Sequence, residues 1–577
     1  MNQPKAILRS LLFILFTLIS CSTSAQENGT LLIHGGPIYT VDSTQTKVEA
    51  VVVKDSTILF AGSLQEAEKY KNEETQVLDL KGKTMTPGLI EGHGHFMGLG
   101  FSALELDLTN TNSYQEIIDA VAEKVKTVKP GEWIIGAGWH QSKWTEKPEI
   151  MVKGFPTHDL LSAVSPDNPV FLSHVSGHAG FANEAAMDIA DIKVLPKEGI
   201  DKSAVEGGEI IRDKLGRPTG IFNETATDLI WKHIPDDMYT PEKITEAFEL
   251  AIAACHKNGI VGFHDAGIGR ENIAFYEKMK SEGKMNVRMY AMLTGRDMGL
   301  VDEWGDKGPL IDPDNLLTIR SIKLNCDGAL GSRGAWLLEE YSDQHGHFGH
   351  ETLPMTEVKK TALKALKNGF QVCSHAIGDR ANREILDRYE AAFKDLPEVS
   401  QDHRFRIEHA QHLHPDDIPR FAELGVIPAM QAIHMSSDRP WAIDRLGEKR
   451  IKEGAYMWQA LLKSGVPIVN GTDVPVEPLN PIANLYASIS RKTLKGYPEG
   501  GFEPAQKMTR EQALRSYTID AAYGAFEEHI KGSITPGKLA DFTIYNQDIM
   551  TIPEDEFLKT EIAMTIFNGE VVYTKKK

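Results

Sequence analysis

The stretch Thr86-Pro87-Gly88-Leu89-Ile90-Glu91-Gly92-His93-Gly94-His95 decides how the rest of the chain is read. A short apolar run leads into two histidines separated by a single residue. In a strand, side chains at i and i+2 project to the same side, so His93 and His95 can face one ion. Gly92 and Gly94 let the backbone approach its neighbours closely. On its own such a pair also describes two surface or packed histidines. What decides between these readings is the company the stretch keeps.

Working outward, apolar runs end in polar residues again and again. Ile260-Val261-Gly262-Phe263 runs into His264-Asp265, and Val287-Arg288-Met289-Tyr290-Ala291-Met292 follows. Then come Ile322-Lys323-Leu324, Gln371-Val372-Cys373-Ser374 into His375, and Phe405-Arg406-Ile407 into Glu408-His409. Val426-Ile427-Pro428-Ala429-Met430 and Pro467-Ile468-Val469, the latter leading to Asp473, complete a set of eight strands. Helical patterns lie between most of them, as over 359–368 and 381–393. Eight strand–helix units predict an α/β fold of the (β/α)8 TIM-barrel type over residues 87–529, with its site at the C-terminal strand ends. The first two strands are too far apart for one helix to join them. Residues of about 100–250 therefore read as an insertion over the barrel mouth.

Four histidines and one aspartate thus fall at predicted strand ends: His93, His95, His375, His409 and Asp473. Imidazole and carboxylate are the usual ligands of zinc-like ions. Any one of them alone fits a hydrogen-bonded structural role; five at the ends of one barrel make coincidence a poor account. Lys323 lies between apolar neighbours in a strand, where a lysine needs a partner. An ion pair with Asp327 is the plain explanation.

The ends of the chain read differently. Short apolar runs split by turn residues fill residues 30–86, and Asn568-Gly569 between two apolar runs marks a hairpin near the C-terminus. Residues 27–86 and 530–577 are expected to pair into one small discontinuous β-sandwich. Residues 1–26 have the basic start and short apolar run of a secretory signal peptide. Leu18-Ile19-Ser20-Cys21 is similar to a bacterial lipobox, with lipidation at Cys21; cleavage after Ala25 is the competing reading. The expectation is an exported protein, periplasmic or lipid-anchored at the outer membrane. The other cysteines, Cys255, Cys326 and Cys373, are an odd number without a C-x-x-C spacing, which argues against a disulfide framework.

The combined motifs resemble the metal-dependent amidohydrolase superfamily. Residues 86–95 resemble its first-strand motif, and Gly532-Ser533-Ile534-Thr535-Pro536-Gly537-Lys538-Leu539-Ala540-Asp541 its return into the sandwich. Asp327-Gly328-Ala329-Leu330-Gly331-Ser332-Arg333, His375-Ala376-Ile377-Gly378-Asp379-Arg380-Ala381, Arg406-Ile407-Glu408-His409 and Gly471-Thr472-Asp473-Val474-Pro475 resemble its YtcJ-like branch. That branch includes N-substituted formamide deformylases and proteins named as exoenzyme regulators. The resemblance implies His93 and His95 on the more buried metal and His375 and His409 on a second. It also implies a carboxylated Lys323 bridging the two, and Asp473 as both ligand and catalytic base. One-metal and two-metal versions both stand, with zinc the implied ion.

Within the insertion, His174-Val175-Ser176-Gly177-His178 is similar to a family motif that places His178 against substrate. Trp139, with Trp144 nearby, is a candidate wall for a hydrophobic substituent, against ordinary packing. Arg333, His264 and Asp265 are candidates to line the pocket, with structural capping as the alternative. His434 follows the seventh strand and can reach the same place. His345, His347 and His350 have metal-like spacing but sit in a polar, glycine-containing loop, which reads as solvated.

The expected function is hydrolysis of carbon–nitrogen bonds other than peptide bonds, on small linear amides or N-substituted formamides. Cyclic amides, deamination and a catalytically inactive regulatory lipoprotein are the alternatives. A sugar-cleaving barrel fits poorly, because the strand ends carry histidines more than acids. The 62 Lys and Arg against 81 Asp and Glu give a net charge of −19, which argues against nucleic acid as a partner. A membrane enters only through the anchor at Cys21, and homo-oligomerisation stays open.

Overall fold

The computed structural model describes residues 29–109, 111–195, 204–205, 207–235 and 239–576. The expected signal segment over 1–26, with Cys21, lies outside the described residues. Eight parallel strands follow one another around the central sheet: Leu89–Gly94, Ile260–Ile268, Arg288–Thr294, Leu317–Asn325, Gln371–Ala376, Arg406–His409, Ile427–Met430 and Val469–Asn470. The ring is completed where the eighth strand meets the first. Asp473 donates its N–H to His93 O at 2.8 Å, and His95 donates to Val474 O at 2.7 Å. A Cβ on Gly92 would collide with Val469 and with the carbonyl of Asn470, so glycine there is what lets the two strands close. The molecule is a (β/α)8 TIM barrel with additional sheets.

The helices pack on the barrel because their apolar positions recur at helical spacing. In Asp379–Asp395 the buried residues are Ala381, Asn382, Ile385, Leu386, Tyr389 and Ala392, one face of an otherwise polar helix. Met355–Asn368 ends at Gly369, whose φ of 75° turns the chain back into the fifth strand.

The first strand begins later than the sequence suggests. Thr84–Pro87 is an element of another sheet, where it pairs antiparallel with Phe542–Tyr545, and the barrel strand starts at Leu89. That other sheet joins both ends of the chain. Leu31–Tyr39, Lys47–Lys54, Thr57–Gly62, Gln76–Asp79 and Thr84–Pro87 continue directly into Phe542–Tyr545, Ile562–Phe567 and Glu570–Thr574. The strands hydrogen-bond into one continuous eight-stranded sheet. One set of side chains, including Ile33, Val51, Phe542 and Ile566, makes its main core. Leu32, Ala50 and Val52 pack a second, smaller one. Asn568 and Gly569, at φ of 53° and 78°, form the expected hairpin turn.

Between the first and second barrel strands the chain builds a seven-stranded sheet. It runs from Leu106–Asp107 through Ile134–Trp139, Val170–His174 and Ala179–Ala182 to Pro218–Glu224, Gly208–Arg212 and Ala204–Val205. It has its own apolar core, with Tyr114, Trp139, Leu172 and Phe181 among its members. Cys255, Cys326 and Cys373 are free and buried. Among the described residues no helix is long and apolar enough to cross a membrane.

Candidate metal centre

The strand ends bring the expected ligands together at the C-terminal mouth. His93 and His95 close the first strand, His375 sits in the fifth, His409 ends the sixth, and Asp473 follows the eighth. His95 Nε2 lies 3.3 Å and His93 Nε2 3.5 Å from Asp473 Oδ1. His409 Nδ1 lies 4.0 Å from Asp473 Oδ2. The rings of His375 and His409 meet edge to face with centroids 4.4 Å apart, and His93 and His409 at 5.0 Å. Two ligand triangles share Asp473, one with His93 and His95, the other with His409 and His434; in each, the ligand atoms lie within 4.8 Å of one another.

The donor set fits a cation. His93 Nε2, His375 Nε2, His434 Nε2 and Asp473 Oδ1 are buried without a hydrogen-bond partner. An orphaned buried polar atom costs about 1–3 kcal/mol, which coordination to a metal would recover. Burial drives the imidazoles of His93, His375 and His409 toward the neutral form that binds metal. Burial alone would raise the Asp473 carboxyl. His95, with its Nε2 3.3 Å away, and the neighbouring His93 and His409 hold it well below its ordinary value, so it stays ionised.

A second set of residues orients these ligands. Glu408 hydrogen-bonds His93 Nδ1, and Arg406 grips the same carboxylate with Nε at 2.7 Å and Nη2 at 2.8 Å. Arg406 also donates to Gly92 O at 2.8 Å, tying the sixth strand to the first. Gln431 Oε1 holds His409 Nδ1 at 2.7 Å. Such partners fix a ligand's ring orientation and tautomer. Asp327 accepts N–H groups from Trp336, Ile377 and Gly378. It lies 3.3 Å from His375 Nε2, and burial pushes its carboxyl up to about 7.

Lys323 is 5% exposed. The ion pair with Asp327 is not formed: no carboxylate among the described residues lies within ion-pair distance of its amine. Burial lowers its pKa, against the opposing pull of Glu408 and Asp473.

A cavity of about 960 Å³ opens above these groups and is lined by His93, His95, Lys323, His375 and Asp473 together with insertion residues. His178 enters it from the insertion. Its Nδ1 is held by Glu224 Oε2 at 2.7 Å, and its ring lies 5.1 Å from that of His375. Glu224 has a φ of 51° and packs its carboxylate against Gly328 and Gly334, where any Cβ would collide with it. The insertion and the loop after the fourth strand are thereby fitted to each other.

Two expected substrate contacts are corrected. Trp139 does not face the cavity: it is fully buried in the insertion core, and its Nε1 donates to Leu172 O at 2.9 Å. The register of its strand shifts between Ala137 and Trp139 around Gly138, whose φ is 103°. This bulge turns the indole inward and leaves His140 on the pocket side. Arg333 also lies off the pocket wall. Its guanidinium is paired with Asp343 at 3.0 Å, an aspartate it shares with Arg445.

Other candidates take structural roles. Asp265 accepts the N–H of Phe96 at 3.0 Å and the hydroxyl of Tyr276 at 2.6 Å. His264 Nδ1 contacts Arg406 at 3.0 Å. His345 is exposed beside Glu340, and His347 bonds Arg333 O at 2.7 Å, so the loop histidines do not converge on one point. The residues missed at the sequence level are Glu408, Arg406, Gln431 and Glu224, while His434 lines the pocket as expected. Only Glu408 and Arg406 carried a signal: they alternate with His409's apolar neighbour in one strand, and a charged pair in a buried strand requires a partner.

The comparisons with known proteins agree with this geometry. The model of the amidohydrolase family matches residues 76–573. YtcJ of Bacillus subtilis (strain 168) is 32% identical over 94% of this chain and 99% of its own length. The N-substituted formamide deformylase of Arthrobacter pascens is 27% identical over 94% and 98%. The crystal structure of an uncharacterized metal-dependent hydrolase from Pyrococcus horikoshii OT3 superposes with a TM-score of 0.72 at 27% identity, covering 91% of this chain and 99% of that one. With a family model spanning all but the first strands and the last residues, and His93, His95, His375, His409 and Asp473 meeting at one barrel mouth, the chain belongs to the amidohydrolase family.

Proposed function

We propose that the protein hydrolyses carbon–nitrogen bonds other than peptide bonds, in linear amides or N-substituted formamides, with zinc as its divalent metal. The observation that carries this reading is the set of buried, unpartnered ligand atoms around Asp473. The likeness to a formamide deformylase supports the choice of bond. A divalent ion held there would bring the pKa of a water molecule to about 7.

His93, His95 and Asp473 would hold one ion. His409 and Asp473 would hold a second together with His375 or His434. A carboxylated Lys323 would bridge the two. Its support is a buried amine with no carboxylate among the described residues in ion-pair distance and a lowered pKa, since the neutral amine is the form that adds carbon dioxide and releases a proton. Asp473, kept ionised, takes a proton from the attacking water and returns it to the departing nitrogen. His178, fixed by Glu224, is placed to donate a hydrogen bond to substrate in the same cavity. Export and a lipid anchor at Cys21 belong to the same proposal, and mass spectrometry of the mature N-terminus tests them.

The test of function is a screen of N-acyl and N-formyl amines with zinc-loaded protein. Asp473→Asn should keep bound metal and lower turnover by about 10²–10⁴-fold. Undiminished turnover in that variant would remove Asp473 from the role of base, and a screen without any turnover would count against the hydrolase reading.

A further inference from the structure

A second, smaller chamber of about 50 Å³ adjoins the metal centre. It shares His375, His409 and Asp473 with the large cavity, so the centre stands between a roomy side and a tight one. The walls particular to the tight side include His140, His434, Asp438, Trp441 and Glu477. Two are carboxylates. Glu477 is 8% exposed and has one cation among the described residues, the partly exposed Lys143, whose Nζ lies 3.5 Å away. Asp438 makes no ion pair among the described residues; its Oδ1 accepts only the neighbouring Ser437 hydroxyl at 3.1 Å. Of the wall histidines, burial keeps His140 neutral and lowers His174 to about 3, and His178 is committed to Glu224, 2.7 Å from its Nδ1. His434 is 7% exposed, with an Nε2 that has no hydrogen-bond partner and that faces the chamber where His375 is the residue completing the second ion's ligands. Arg445, close to the Trp441 ring, is committed to Asp343.

A small space with one buried and one half-buried carboxylate, one partial counter-charge among the described residues and an unpartnered ring nitrogen is short of a cation that donates hydrogen bonds. We propose that this chamber is a specificity subsite for a short ammonium-bearing arm of the substrate, with Asp438 and Glu477 as its counter-ions and the longer arm in the large cavity. The inference rests on the amide-hydrolase reading for the identity of the substrate, and on the chamber alone for the binding of an ammonium group. A space of this size suits a short, slender amine rather than a bulky substituent.

The experiment has a binding arm and a turnover arm, both with the zinc-loaded full chain. Propylammonium should raise the thermal midpoint by about 1 °C or more over propanol at equal concentration and ionic strength. Asp438→Asn and Glu477→Gln should each abolish the difference. In turnover, two matched pairs are compared: N-formyl-propanediamine with N-formyl-butylamine, and the benzylamide of β-alanine with that of butyric acid. The ammonium member of at least one pair should be favoured about 10-fold or more in kcat/KM, and that ratio should collapse toward unity in Asp438→Asn. A midpoint shift specific to propylammonium without turnover of any amide would keep the subsite and sink the amide reading. Turnover without preference in either pair, together with equal midpoints in propylammonium and propanol, would overturn the subsite. The wild-type comparison of propylammonium with propanol decides the binding arm even if neither variant folds.

Discussion

His409 and Asp473 carry φ values of 72° and 59°, in a region that side chains other than glycine avoid. Such conformations cost of order 1–3 kcal/mol and persist where the surroundings enforce them. Here the N–H of Asp473 is tied to His93 O, and the ring of His409 to Gln431. The residue scale also shows what titration does to stability away from the metal. His403 stacks on Phe393 with centroids 3.9 Å apart; its Nε2 bonds Leu424 O at 2.8 Å, and its Nδ1 accepts the N–H of Phe405 at 2.8 Å. That pattern demands the neutral ring, and burial lowers its pKa from 6.5 to about 4. Since the folded pKa is depressed, the unfolded chain binds more protons below pH 6.5. The contribution is therefore full above 6.5 and is lost as pH falls toward 4, by about 3 kcal/mol. Replacing His403 with Gln should flatten that part of the stability–pH curve relative to wild type; parallel curves from urea denaturation would contradict it. Ligand identities were legible in the sequence because strand ends expose them. The orienting roles of Glu408 and Gln431 were not, since they depend on which strands adjoin across the barrel.

At the scale of elements, the insertion shows how one backbone irregularity redirects a site. Trp139 was a candidate wall of the cavity, and a regular strand would have kept it on the side of Ala137, which lines that cavity. The bulge at Gly138 changes which side of the sheet each following residue faces, so the indole fills the core and His140 lines the chamber. A Cβ at Gly138 would approach Thr109 N to 2.9 Å, in addition to the cost of a φ of 103°. Gly138→Ala should therefore lose more than about 1 kcal/mol of stability. Gly131→Ala, at a φ of 86° with no atom near the added methyl, should lose less. Chemical denaturation of the two variants side by side tests this, and equal losses would show that the contact with Thr109 is not what fixes the bulge. The eight barrel strands were readable because each pairs an apolar run with a polar end. Bulges leave no comparable pattern, and the helix Ala432–Gly454, which carries His434 to the site, could be placed only by its packing.

For the whole molecule, what matters is how the terminal sheet is joined to a barrel whose mouth lies at the other end. The joint is at the N-terminal end of the third strand. Arg288 is 2% exposed, and its Nε and Nη2 reach Asp541 at 2.6 and 3.0 Å. Nη2 also donates to the hairpin residue Asn568 at 2.5 Å, and Nη1 to Asn315 O at 3.1 Å. Asp541 in turn receives the N–H of Asn568 at 2.9 Å, while its own carbonyl accepts from Gly88 at 2.8 Å as the chain crosses from sheet to barrel. One buried ion pair thus joins the C-terminal part of the sheet to the barrel. Removing one member of such a pair strands the other charge and costs about 3–5 kcal/mol, whereas replacing both by apolar residues of similar size costs much less. Asp541→Ala should therefore lower the urea midpoint substantially, and Arg288→Met combined with Asp541→Leu should recover most of the loss. Metal content should stay at the wild-type level in both, because no residue of the pair touches His93, His375 or Asp473. A double variant no more stable than Asp541→Ala would mean that the hydrogen bonds to Asn315 and Asn568, rather than the stranded charge, hold the sheet to the barrel.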